Sequence, residues 1–531
     1  MRRWCLSVAI LACACRPSTP DGGIASRRAA GGAVSVTDFG ARGDGATDDR
    51  EAIQAAIRAA ATGHREVYLP PGTYEVSGVP GGHWGLDVPG GVHLRGAGAG
   101  KTVIQQAPGA GPSVRLLHLS GDGIVVEDLT LDGYRAAQSR NEQRHGMFAT
   151  GATHLVVRRV TAQSFTGDGF YLHHGVSDAR FEDVVATANA RNGITLGGNV
   201  DRTALVDSRF VGNGAQQVDS EPGGTAMVRH TTITGCEIDV AGASNDYALT
   251  VSGTPRARGS HWTIVGNKIH GGIFVVWAEH VVIAGNTGIN PTTKPSVTVY
   301  RTSSDVAVLG NRFVMTQSRA RSLAGVLVQG TGTGSAPERV VVLGNDIAVD
   351  YEQSFGIRAE GAISVAVIGN RLRGAGRAAP GYAGIYVRAT NQAEDFRSAV
   401  IRGNTVRNFG ARGVSVAGNG GARLLSLEIT DNTFDDDAAA PAMTAGISLD
   451  DGTGAARRIA MTGNRCLHGV TTPVVNLPAN PEVMTGEPPS PPSPSPPSPS
   501  PPSPPSPSPP SPPSPPSPSP PSPRSPSPPS P

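Results

Sequence analysis

The feature that most constrains this chain is a short β-branched run closed by Gly-Asn. It stands as Thr263-Ile264-Val265-Gly266-Asn267 and recurs at 281–286, 306–311, 340–345, 365–370, 400–404 and 459–464, with Asp431-Asn432 as a variant. Successive asparagines lie about 19 to 34 residues apart, near the period of coils whose turns are buried only by their neighbours. One long stack of strands is therefore expected, although 531 residues would accommodate several domains. The repeated position is assigned to Asp128, Arg159, Asp183, Ser208, Cys236, Asn267, Asn286, Asn311, Asn345, Asn370, Asn404, Asn432 and Asn464. Asparagine tolerates a left-handed corner and can bond to its neighbour in the next rung, so these residues are expected to form a structural ladder.

Charge and composition narrow the partners. With 69 glycines and a formal charge of only +2, the chain has neither the basic excess of a nucleic-acid binder nor an acidic tail. Lysine occurs only at Lys101, Lys268 and Lys294, which limits mechanisms that need a lysine base. Residues 1–15 read as an export signal, with Arg2 and Arg3 ahead of an apolar run too short to span a bilayer. Within it, Ile10-Leu11-Ala12-Cys13 resembles the site at which bacterial lipoproteins are cleaved and lipidated. Two destinations stand: a cell-envelope lipoprotein attached to a membrane through Cys13, or a secreted protein. Residues 16–33 read as a linker and 34–485 as the strand-stacked domain. Residues 486–531, built of Pro-Pro-Ser and Pro-Ser repeats, read as a disordered, extended tail that cannot join a core. Cys236 and Cys466 sit about eight rungs apart, roughly 40 Å at ~4.8 Å per strand, which no disulfide spans, so both are expected as buried thiols.

Near the start of the domain, Asp48 and Glu51 fit a capping box, and Ile53, Ala56, Ile57 and Ala60 give one apolar helical stripe. This helix is expected to plug the open end of the stack. Gly96-Ala97-Gly98-Ala99-Gly100-Lys101-Thr102 invites a phosphate-loop reading, but Arg95 stands where a glycine is needed, and Val103 and Ile104 read as strand where a helix should follow. A turn between rungs is the better account. Asp38-Phe39-Gly40-Ala41-x-Gly43-Asp44-Gly45-x-x-Asp48-Asp49, the helix, and Tyr68-Leu69-Pro70-Pro71-Gly72-Thr73-Tyr74 together resemble the start of the pectate-lyase-like superfamily, in its rhamnogalacturonase/epimerase-like branch. The resemblance covers 34–102 and implies an all-β, single-stranded right-handed parallel β-helix acting on acidic polysaccharide. Lyases, hydrolases, epimerases and tailspikes share that fold.

Stacking makes catalytic groups findable by alignment of rungs. Gly146, Gly169 and Gly193 are aligned, and if Met147, Phe170, Ile194, Ala149, Leu172 and Leu196 point inward, Phe148, Tyr171, Thr195, Thr150 and His173 take the other face. His145, Asp168 and Asn192 form a further column, flanked by Arg144 and Arg191. Such a cluster suits chemistry beside a uronate carboxylate: arginine neutralises the carboxylate, a histidine or tyrosine removes the α-proton, and a second group returns one or assists the leaving oxygen. The candidates for catalysis are His173, His145, Tyr171 and Asp168; those for substrate binding are Arg144, Arg191, His174 and Asn192. This segment also resembles the Gly-Phe-Asp-Pro-His-Glu motif of mannuronan C-5 epimerases, on Gly169-Phe170-Tyr171-Leu172-His173-His174. That resemblance implies a proton-transfer role for His173, with Tyr171, Leu172 and His174 at the motif's aspartate, proline and glutamate.

Two rival readings remain. A hydrolase would need paired carboxyl groups, for which Asp132, Asp168 and Asp178 are available. A non-catalytic β-helix would bind glycan or display a surface. No Cys/His spacing suggests zinc and no repeated Asp-x-Asp loop a dedicated calcium site, which leaves calcium arriving with an acidic substrate open.

Overall fold

The computed structural model describes residues 32–485, apart from 64, 112–113, 242–246, 317–322, 333, 351–353, 377–381, 391–394, 419–422, 450–457 and 476–482. The export signal with Cys13, nearly all of the linker and the Pro/Ser tail lie outside the described residues. Strands recur in threes. Val218–Ser220, Val228–Thr234 and Glu237–Asp239 pair with Tyr247–Ser252, Gly259–Val265 and Lys268–His270 one rung on, and each of these pairings is parallel. The result is a right-handed parallel β-helix with three columns of strands. Alternate side chains enter a core that runs unbroken from Val34 to Val470, because a strand with one apolar face is buried only by stacking on its neighbours.

The asparagine ladder is real from Asn267 to Asn464. Each Oδ1 accepts both the backbone N–H and the Nδ2–H of the preceding asparagine, as Asn311 does from Asn286 at 2.9 Å. The left-handed corner belongs to the residue before it: Gly266, Gly285 and Gly310 have φ of 68°, 60° and 56°. This corrects the three earliest assignments. Asp128, Arg159 and Asp183 occupy that corner, at φ of 59°, 52° and 51°, in line with Asp207 and Gly235. The ladder column itself passes through Leu129, Val160 and Val184 before Ser208 and Cys236, all buried. The offset of one residue arises because the earlier rungs put apolar residues where the later ones put asparagine.

The helix Arg50–Ala61 buries Ile53, Ala56, Ile57 and Ala60 in the common core. Its capping box does not form. The N-cap is Asp49, whose carboxylate accepts the N–H groups of Arg42 and Gly43 at 2.7 and 3.0 Å, while Glu51 is spent on Arg50 and Arg58. Strand Thr102–Gln106 follows the glycine-rich turn, as expected. Cys236 is a buried free thiol; Cys466 is free but only half-buried.

Candidate functional site

Three consecutive rungs present Met147–Thr153, Phe170–His173 and Ile194–Leu196, in register Met147↔Phe170↔Ile194. The six residues expected inside are fully buried, which leaves Phe148, Tyr171 and Thr195 on the opposite face, next to Thr150 and His173. Glycine precedes each strand because the rungs approach closely there. A Cβ on Gly146 would lie 2.6 Å from the Gly169 carbonyl oxygen, and one on Gly193 2.5 Å from that of Gln217.

On this face the rings form a stack. Centroids are 4.7 Å apart for His145 and Tyr171, 5.5 Å for Phe148 and Tyr171, and 5.5 Å for Tyr171 and His173. Arg115 lies over the Phe148 ring, 4.0 Å from its centroid, a cation–π contact. Its guanidinium donates to Gln143 Oε1 at 3.2 Å and makes no ion pair among the described residues. Burial, then the neighbouring His174 and Arg115, lower the pKa of His173, so its imidazole is neutral at neutral pH. Burial, with Glu221 and Asp168 nearby, pushes the Tyr171 phenol up to about 12, so it keeps its proton. Gly197 makes room for His173, since a Cβ there would stand 2.3 Å from the ring's Cδ2.

Beneath this face runs a second side-chain ladder. His145 Nδ1 accepts the Asp168 N–H at 3.1 Å, Asp168 Oδ1 accepts the Asn192 N–H at 2.9 Å, and Asn192 Oδ1 accepts the Gln216 N–H at 3.0 Å. Asp168 Oδ2 also accepts from Thr195 Oγ1 at 2.9 Å and Arg191 Nη1 at 3.1 Å. Asn192 Nδ2 donates to Asp219 Oδ2 at 3.2 Å, and Arg191 Nη2 donates to both carboxylate oxygens of Glu221. Burial pushes Asp168 up to about 7 even with Arg191 beside it. Burial and then Glu221 raise Asp219 well above the usual carboxylate range. Burial lowers His145 well below its ordinary value, with Arg115 and Arg191 adding to the effect.

With this geometry in view, residues 33–297, which contain the whole arrangement, match the family described as Rhamnogalacturonase A/epimerase, pectate lyase-like. The chain belongs to the pectate-lyase-like superfamily. It is 38% identical over 203 residues to mannuronan C5-epimerase AlgE3 of Azotobacter vinelandii, a match covering 35% of this chain and 10% of that protein. It is 36% identical over 174 residues to alginate lyase 7 of the same organism, covering 30% of this chain and 20% of that one. Among solved structures, the A-module of A. vinelandii mannuronan C-5 epimerase AlgE6 aligns at 24% identity with a TM-score of 0.47, over 74% of this chain and 97% of that module. The chain thus matches only a minor part of the length of these curated relatives.

In this pectate-lyase-like chain, the expected residues divide into two layers. Tyr171 and His173 lie at the surface layer, with exposed His174 beside them at 3.7 Å between ring centroids. His145, Asp168 and Asn192 are 0%, 0% and 1% exposed, so they hold the face from below and do not reach a polymer above it. Arg191 joins the layers. Arg144 is corrected: it is 2% exposed and donates to Ala110 O at 2.6 Å, Ser139 Oγ at 3.2 Å and Gln138, pinning its own loop. Arg115, unnoticed in the sequence, brings the second guanidinium to the face. Of the hydrolase aspartates, Asp132 accepts from Gln163 and Asp178 is paired with Arg202, both away from Asp168. Asp219 and Glu221 belong to a polar insertion, Gln216-Gln217-Val218-Asp219-Ser220-Glu221, whose place at the groove the sequence leaves open. Continuing the spacing from Gly169 to Gly193 one step further reaches Gln217 and would have set Asp219 in register with Thr195; a glutamine in the glycine position hid it. Among the described residues no group of three His, Cys, Asp or Glu side chains is placed to hold a metal ion.

Proposed function

We propose that this protein is an exported polysaccharide lyase or epimerase that removes the C5 proton of a uronate in an acidic polysaccharide. The observation that carries the reading is a neutral imidazole and a protonated phenol, His173 and Tyr171, stacked beside Arg115, a guanidinium with no carboxylate partner of its own among the described residues. Arg115 meets the sugar carboxylate and stabilises the negative charge that develops on it as the proton leaves; calcium arriving with the polymer would add to that stabilisation. His173 accepts the C5 proton. Tyr171 then donates, either to C5 from the other side, which epimerises, or to the departing O4, which eliminates. Asp168, Asn192 and His145 are positioning residues that fix the strand ends under Tyr171, and Arg191 ties them to Glu221. The matched relatives, named as epimerases and a lyase, support the same first step.

The test is a panel of polyuronates, read by absorbance of the unsaturated product and by the uronate composition of the polymer. Wild type is expected to change one of these, and His173→Ala and Tyr171→Phe each to lose about 10²- to 10⁴-fold. Inactivity on every polymer, or full activity in His173→Ala, overturns the reading. Release of reducing ends without unsaturation overturns it in favour of a hydrolase.

A further inference from the structure

Across the two rungs before the uronate site and the first rung of the site itself, three side chains stand in an order that packing alone does not require. His118 Nδ1 lies 2.8 Å from Asp87 Oδ1, and His118 Nε2 lies 3.1 Å from Thr150 Oγ1. Strand register places Asp87, His118 and Phe148 in one column, whereas Thr150 belongs to the next column, two residues beyond Phe148. The imidazole therefore reaches diagonally across the strands to the hydroxyl. Trp84 stacks on the ring at 4.5 Å and 18°, and Phe148 at 6.1 Å and 27°, so the plane is set by the aromatic neighbours and the edge by Asp87 and Thr150. Asp87 and Thr150 are both partly open to solvent. A hydroxyl within hydrogen-bond reach of a base that is itself oriented by a third group is the geometry of an activated nucleophile.

We propose that Asp87, His118 and Thr150 form a second catalytic centre, adjoining the uronate site through the register of Thr150 with His173, that cleaves carboxylic esters borne on sugar hydroxyls. Asp87 accepts the Nδ1–H of His118, leaving Nε2 to take the Thr150 proton as Oγ forms a bond to the ester carbonyl carbon. The carbon–oxygen bond to the sugar breaks, and the departing alkoxide takes the proton from Nε2. Water, deprotonated by the same nitrogen, then hydrolyses the acyl-threonine to release the carboxylic acid and restore Oγ–H. The sum is ester plus water to alcohol plus acid. No other reactant is needed.

Incubation of the full chain with p-nitrophenyl acetate tests this, following nitrophenolate release and the mass of the tryptic peptide that carries Thr150. Wild type is expected to release nitrophenolate faster than buffer and to show a transient acetyl on that peptide. His118→Gln should lose about 100-fold or more, Thr150→Val should lose the acetylated peptide, and Thr150→Ser should keep turnover. Melting curves for each variant establish that it is folded, and the serine variant supplies the readout if valine perturbs the strand. A wild-type rate equal to buffer, or a Thr150→Val protein that turns over like wild type, overturns the proposal.

Discussion

His173 is held by an absence. Gly197 leaves the space its ring fills, and the restored Cβ of Gly197→Ala would meet that ring at 2.3 Å. Displacing a reacting group by about 1 Å can cost roughly 10²-fold, so this variant should lose activity on the wild-type polymer while melting near the wild-type temperature. His174 is one of the neighbours that keep His173 low. His174→Gln should move the acid limb of kcat/KM upward, toward the ordinary imidazole value, in a pH–rate profile. Asp168 has the opposite shift, from 3.8 to about 7 through burial. A carboxyl with a raised pKa takes up a proton on folding, so its stabilisation is fully present below about pH 4 and is lost as pH rises through about 7. Melting scans across that window should show a decline in wild type that is shallower in Asp168→Asn, the remainder coming from Asp219, which shifts in the same direction.

At the scale of the element, one ladder step contains two different chemistries that a Gly-Asn pair separates. Gly310 at φ 56° has nothing within 4 Å of an added Cβ, so Gly310→Ala meets only the left-handed backbone cost of about 1–2 kcal/mol. Asn311 accepts from Asn286 and donates to Ile283 O and Asn345 Oδ1 at 2.9 Å each. Asn311→Ala leaves several of these groups buried and unpaired, at about 1–3 kcal/mol each. Urea denaturation should therefore rank Asn311→Ala clearly below Gly310→Ala. The short ladder His145–Asp168–Asn192 uses the same device with titratable members, which makes its strength depend on pH where the asparagine ladder's does not.

Across the whole molecule, each rung touches only its neighbours, so coupling between distant rungs is weak. Asn404 lies many rungs beyond Tyr171 and bonds to Val367 O and Asn432 Oδ1 at 2.9 Å. Asn404→Ala should lower the urea midpoint yet leave kcat/KM unchanged at 25 °C. The same locality explains how much was legible beforehand. A repeat that each rung restates, with alternating Val, Ile and Leu, specifies strand, face and stack by itself, and Met147, Phe170 and Ile194 aligned as read. Where rungs depart from the repeat, the period misplaces residues: Asp128 sits one residue before the ladder, and Gln217 in the glycine column obscures the register of Asp219 with Thr195. Arg144 and Arg115 show the remaining limit. Both are arginines beside the cluster in sequence or in register, and nothing in either position says that one guanidinium is buried under Ala110 while the other lies over Phe148. The β-helix and its columns were determined by the sequence alone, because parallel stacking turns a linear period directly into spatial neighbours. Which members of the cluster face the polymer, and which are buried as its support, only the tertiary structure decided, because loops of unequal length and hydrogen bonds between different rungs set each side chain's direction.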